Sequence, residues 1–140
     1  MRLLGVAMVR DEADVIETFV RHNLNFLDGL AIIDHCSVDG TAEILKKLQS
    51  EGLPLRIVRN PDPAYFQSRL MTEIARETLQ REDADFVFAL DADEFLKIPD
   101  RALLERVLAN FPADLNGALH WQTYVPDDPQ SRPNNLFQVK

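Results

Sequence analysis

Phe86-Val87-Phe88-Ala89-Leu90-Asp91-Ala92-Asp93-Glu94-Phe95 is an apolar run that passes without a break into a cluster of acids. A continuous apolar segment of this length suits a strand buried on both faces of a parallel sheet. The acids then fall at its carboxyl end, on the rim of the sheet. Carboxylates held this close disfavour one another's ionised form unless a cation is shared among them. Hard oxygen donors of this kind suit Mg2+ or Mn2+, which keep several waters and take their remaining ligands from substrate phosphates. An isolated Asp-x-Asp after a strand is also a common turn and capping pattern, so the weight given to Asp91 and Asp93 rests on their surroundings.

Working outward, strands alternate with helices. Leu3 to Val9 is a second uninterrupted apolar run, and helical spacing of Val15, Ile16, Phe19, Val20 and Leu24 follows it, with Asp11 as an expected N-cap and a helix from Glu12 to about Leu27. Leu30 to Ile33 predicts a short strand, the turn Asp34 to Gly40 follows, and Ile44, Leu45 and Leu48 mark a helix. Leu55 to Val58 is a third strand on this reading, and Leu70, Met71, Ile74, Ala75 and Leu79 predict the helix that leads into Phe86. Beyond the acids, Pro99-Asp100 opens a helix, Ala118 to Val125 reads as a fifth strand, and the chain from Pro126 reads as a loop or tail. The pattern predicts an α/β fold with a Rossmann-like, doubly wound, mainly parallel sheet over residues 1–125, and a tail over 126–140.

In such sheets ligands bind outside the carboxyl ends of the strands, where the winding reverses. Polar residues collect at those ends here: Arg10-Asp11-Glu12, Asp34 to Asp39, and Asp91 to Glu94.

The formal net charge of -8 over 140 residues argues against a nucleic-acid partner, whose phosphates would need clustered Lys and Arg. A phosphorylated ligand beside these acids would need a divalent cation to offset repulsion. The single cysteine, Cys36, excludes an internal disulfide and fits a cytoplasmic location, and the histidines lie too far apart to suggest a zinc site. The apolar N-terminal run is too short to span a membrane.

Other candidates carry two readings each. Asp39 or Thr41 contacts a ligand or merely caps the second helix, with Gly40 relaxing the turn. His35 is a ligand contact or a solvated turn residue. Arg69, early in the third helix, is a phosphate ligand or a surface arginine. Trp121 and Tyr124 form a sugar-stacking platform or part of the core.

Together, Val9-Arg10-Asp11-Glu12, Ile33 to Thr41 with its S-x-D-G-T, and Phe88 to Phe95 with its L-D-A-D-E-F resemble, in order and spacing, the landmarks of family 2 glycosyltransferases of the GT-A fold. The resemblance runs from about Leu3 to Tyr124, and the D-A-D-E-F form is similar to a bacterial subgroup linked to cell-envelope polysaccharide or lipopolysaccharide assembly. It implies metal-dependent, inverting transfer of a sugar from a nucleotide-diphosphate donor to a glycan or lipid acceptor, with peripheral membrane contact possible. It further implies that Val9, Arg10, Glu12, Asp34, His35, Asp39, Arg69, Asp91 and Ala92 line the nucleotide-sugar site. Asp93, with Asp91, would hold the Mn2+ or Mg2+ that bridges the diphosphate. The family carries a second acid where this chain has His35. The family's catalytic base lies in an acceptor region expected beyond Lys140, so no base is assigned and the chain is expected to be the N-terminal part of a fuller domain.

Two rivals share the acidic strand end: a truncated, noncatalytic nucleotide-sugar-binding domain, and a haloacid dehalogenase-like phosphohydrolase with Asp91 as nucleophile. A signalling receiver domain would need an acceptor Asp after the third strand, where Arg59-Asn60 stands.

Overall fold

The structure is a computed structural model that describes residues 1–62, 66–112, 115–120 and 122–123. Its strands are β1 (Leu3–Val9), β2 (Gly29–His35), β3 (Leu55–Asn60) and β4 (Phe86–Leu90), and its helices are α1 (Ile16–Asn23), α2 (Thr41–Ser50), α3 (Gln67–Arg81) and α4 (Arg101–Leu108). The strands form one sheet in the order β3-β2-β1-β4, and every pairing is parallel. This is the expected α/β, Rossmann-like arrangement.

Side-chain alternation along the central strands divides the core in two. Leu3, Ala7 and Val9 of β1 and Leu30 and Ile32 of β2 pack with Ile16, Phe19 and Val20 of α1, Leu45 and Leu48 of α2, and Leu104 of α4. Val6 and Met8, with Ala31 and Ile33, pack with Ile74, Leu70 and Met71 of α3. Thus α1 and α2 cover one face and α3 the other, which is double winding, and the reversal falls between β1 and β4. Gly5 lies on the first face, where a Cβ would come within 2.5 Å of Leu30 Cδ2 and 2.9 Å of Leu27 Cδ1. Its missing side chain makes room for the Leu30 and Leu27 side chains to pack over β1.

Three expectations are corrected. β2 runs on through Asp34 and His35, because Asp34 lies between two ladders, in register with Val9 and Arg59, and His35 continues the β3 ladder opposite Asn60. The turn is therefore confined to residues 36–40. α1 begins at Ile16, after a turn in which Glu12 O accepts from the amides of Val15 and Ile16, and Asp11 does not cap it. Residues 118–120 and 122–123 form no strand, while Trp121, Tyr124 and the segment 124–140 lie outside the described residues. No helix among the described residues is long and apolar enough to cross a membrane.

Candidate functional site

The register of β1 with β4, Ala7 beside Leu90, brings Arg10-Asp11-Glu12 and Asp91-Ala92-Asp93-Glu94 to the same edge of the sheet. That edge is the crevice at which the winding reverses.

Asp91 to Glu94 form a turn closed from both ends: Glu94 N donates to Asp91 O at 3.0 Å, and Asp91 N donates to Glu94 Oε2 at 3.0 Å. Ala92 is buried in the core, which directs its exposed neighbours Asp91 and Asp93 outward. Behind the turn, Asn23 of α1 is fully buried and holds the chain as it leaves. Its Nδ2 donates to Glu94 O at 3.0 Å, and its Oδ1 accepts from Leu96 N at 3.0 Å. His22 Nε2 lies 2.7 Å from Leu96 O. From the other face, Gln67 in the first turn of α3 reaches Asp91 Oδ1 with its Nε2 at 3.4 Å.

Across the crevice, three successive amides at the end of β1 are taken up by three alternate side chains of the S-x-D-G-T motif. Asp11 N donates to Ser37 Oγ at 3.1 Å, Glu12 N to Thr41 Oγ1 at 2.8 Å, and Ala13 N to Asp39 Oδ2 at 2.9 Å. Thr41 in turn donates from its hydroxyl to Asp39 Oδ1 at 2.6 Å and from its amide to the same oxygen at 3.0 Å. Val38 N returns a bond of 2.7 Å to Asp11 Oδ1. Asp11 and Cys36, one in each loop, have φ of 56° and 58°, a left-handed conformation uncommon for side chains other than Gly. Thr41's hydroxyl, then the Ala13 amide, hold the Asp39 carboxyl below its ordinary value.

Successive backbone amides beside a left-handed residue make the concave nest that cradles phosphate in many nucleotide-binding folds. Here the chain's own hydroxyls and carboxylate fill that position. A ligand phosphate at this edge has to be gripped elsewhere, and the edge is acidic. Burial, followed by the negative charges of Asp14, Asp93, Asp39 and Asp11, pushes the Glu12 carboxyl above its ordinary value. Asp93 on the β4 side is thus felt by Glu12 on the β1 side.

The remaining sequence candidates are placed as follows. Val9, like Ala92, is buried, so each has only its backbone to offer. Arg10 is exposed, with Nε 3.9 Å from Asp11 Oδ2. Asp34 and His35 are buried: Asp34 Oδ1 accepts from Ser37 N at 3.2 Å, and His35 Nδ1 lies 3.2 Å from Asn60 Nδ2. His35 is therefore no solvated turn residue. Arg69 pairs with Glu73 at 2.9 Å on the exposed side of α3.

Asp91 and Asp93 fit a divalent cation by their chemistry, as exposed hard donors on a short turn. Among the described residues, no three His, Cys, Asp or Glu side chains converge to hold an ion. The donor set fits an ion completed by phosphate oxygens and water better than one held by protein alone. A concavity of about 250 Å³ opens at the opposite, amino edge, lined by Arg2, Pro54, Arg56 and Glu82 among others. Its charges already face each other, with Arg56 Nε 3.4 Å and Arg2 Nη2 3.6 Å from Glu82.

No family model matches the chain, and no curated protein matches it in sequence. Among solved structures, the fold is similar to that of the mannosyltransferase PcManGT from Pyrobaculum calidifontis, solved in complex with GDP-Man and Mn2+. The TM-score is 0.59 at 19% identity, over 74% of this chain and 30% of that one. At that identity the likeness concerns the fold alone.

Proposed function

We propose that this chain is the donor-binding part of a metal-dependent glycosyltransferase, moving a sugar from a nucleoside diphosphate to a glycan or lipid acceptor. The observation that carries this reading is the pairing of the two strand ends. β4 presents exposed Asp91 and Asp93 at the switch crevice, while the β1 amides that could have cradled a phosphate are already occupied. Asp91 and Asp93 would hold a divalent cation, which would offset the repulsion between a diphosphate and this acidic edge. When bound, such an ion supplies Lewis-acid stabilisation of the charge on the departing nucleoside diphosphate.

The chain's own residues perform the rest. Asp93 and Asp91 supply the carboxylate oxygens, Gln67 and the Glu94 side chain fix the turn that carries them, and the backbone at Val9 and Arg10 faces the nucleoside. Membership of family 2 and of its D-A-D-E-F subgroup, an envelope polysaccharide or lipid acceptor, residence in the cytoplasm with peripheral membrane contact, and a donor domain over residues 1–125 belong to the same proposal. It rests on the motifs, with support from the GDP-Man and Mn2+ bound to the similar mannosyltransferase. The catalytic base is left unassigned.

Calorimetric titration with nucleoside diphosphates, with and without Mn2+, tests this. Binding is expected only with metal, and Asp93→Ala is expected to abolish it. Metal-independent binding that survives Asp93→Ala would overturn the proposal, and a phosphoaspartate formed at Asp91 would establish the phosphohydrolase instead.

A further inference from the structure

The S-x-D-G-T motif is shared between two loops in an unusual way. Ser37, Asp39 and Thr41 alternate along the chain, and their oxygens meet the amides of Asp11, Glu12 and Ala13 in a one-to-one pairing at 3.1, 2.9 and 2.8 Å for Ser37, Asp39 and Thr41 in turn. Both Asp39 oxygens are engaged within the protein. Thr41 is fully buried, and its hydroxyl both accepts from Glu12 and donates to Asp39. Val38, between Ser37 and Asp39, is 89% exposed, so its side chain stands in solvent while its neighbours' oxygens bond to the β1 loop.

We propose that Ser37, Asp39 and Thr41 are positioning residues. They latch the loop from Arg10 to Asp14 onto the end of β2, and so set Arg10 and Glu12 opposite the Asp91-Asp93 turn. Asp39 acts on the donor through this loop and does not touch it. This rests on the donor-site reading above, extends it to the β2 loop, and reassigns Asp39 from ligand contact to latch.

The geometry accounts for the residue types. A carboxylate at position 39 serves three donors, the Ala13 amide and the amide and hydroxyl of Thr41, which no neutral side chain could all accept. Charge-assisted bonds of this kind are stronger than neutral ones. Gly40, at φ 105°, lets the chain reverse between the two partners. Without the latch, the left-handed turn at Asp11 would lose the bonds that offset its backbone cost.

The test combines amide exchange by NMR on the ligand-free chain with titration of a nucleoside diphosphate in the presence of Mn2+. Thr41→Val is expected to speed exchange at Glu12 about five- to tenfold, the loss of about one hydrogen bond, and to weaken the nucleotide by a similar factor. Thr41→Ser, which keeps the hydroxyl, is expected to restore both. Asp39→Ala is expected to free Ala13 in the same way, and Ser37→Ala, which removes one hydroxyl with a single amide partner, frees Asp11 should Asp39→Ala fail to fold. Two results overturn the proposal: nucleotide binding lost in Asp39→Ala with the three amides still protected, which marks a direct ligand, or amides freed with affinity unchanged. A native chain that binds no nucleoside diphosphate with Mn2+ sinks the donor reading and the positioning role with it, while the exchange rates still decide whether the latch exists.

Discussion

Asn23 and Leu96, on α1 and just past the acidic turn, are joined across 73 positions by a buried bond of 3.0 Å from the Leu96 amide to the Asn23 side-chain oxygen. With the second bond from Asn23 to Glu94 O, this places the exit of the Asp91-to-Glu94 turn under the control of the first helix. Asn23→Ala would leave two backbone groups near the core without this partner, at a cost of about 1–3 kcal/mol each when buried and unsatisfied. Urea denaturation is expected to show a loss of about 2 kcal/mol or more. A change below about 0.5 kcal/mol would mean that the turn holds itself.

Glu12 gives a pH signature opposite to that of a salt-bridged acid. Burial and the surrounding carboxylates raise its folded value above 4.5, so the folded state binds the proton more tightly than the unfolded state. Its contribution is favourable below the unfolded value and is lost as pH rises through the folded one. Glu12→Gln is expected to stabilise the metal-free chain at neutral pH, with the gain vanishing below about pH 4. Denaturation at both pH values checks this, and a neutral-pH loss would contradict it.

Asp28 behaves in the reverse sense. Burial pushes its carboxyl up, but the Arg101 guanidinium at 2.9 Å and the Leu3 amide at 2.7 Å outweigh it and hold the group below 3.8. This stability is present above the unfolded value and is lost as pH falls through the lowered folded value. Its side chain is 42% exposed, so Asp28→Asn is expected to cost less than about 1 kcal/mol at pH 7. The difference from the native chain should shrink below pH 3.8. A cost that stays constant with pH would assign the effect to shape alone.

Gly40 tests the turn by itself. A Cβ there would meet nothing within 4 Å, so the φ of 105° is the whole penalty. Gly40→Ala is expected to cost about 1–2 kcal/mol, read by thermal or urea denaturation. A neutral substitution would show that the loop relaxes elsewhere.

The sheet was legible because β1 and β4 are written as unbroken apolar runs, although β1 is buried throughout and β4, at the end of the strand order, buries only Leu90, and the helices between them carry clean stripes. The boundaries were less so. Asp34 and His35 read as turn residues by polarity, yet β2 pairs Asp34 on both sides and His35 with Asn60 of β3, and both are buried. The acids of the crevice were legible as strand-end clusters, but the division of labour among them was not. Asp39 and Asp93 look alike in sequence and both are exposed, and only the fold shows that Asp39 is spent on Ala13 and Thr41. Asn23 left one signal: an amide on the same stripe as Ile16, Phe19 and Val20, at a position where an apolar residue belongs. Gln67 left none, since its role depends on where α3 ends up against β4.

The central claim is that a divalent ion and a diphosphate meet at the carboxyl edge between β1 and β4. Broadening of amide resonances by Mn2+, recorded with and without a nucleoside diphosphate, locates the ion directly. Signals of Asp91 to Glu94 and Arg10 to Glu12 should broaden strongly when both are present and only weakly with Mn2+ alone, while Asp28, Gly29 and Leu55 at the opposite edge stay sharp. Broadening centred on that amino edge, or equal at the carboxyl edge with and without nucleotide, would contradict the account.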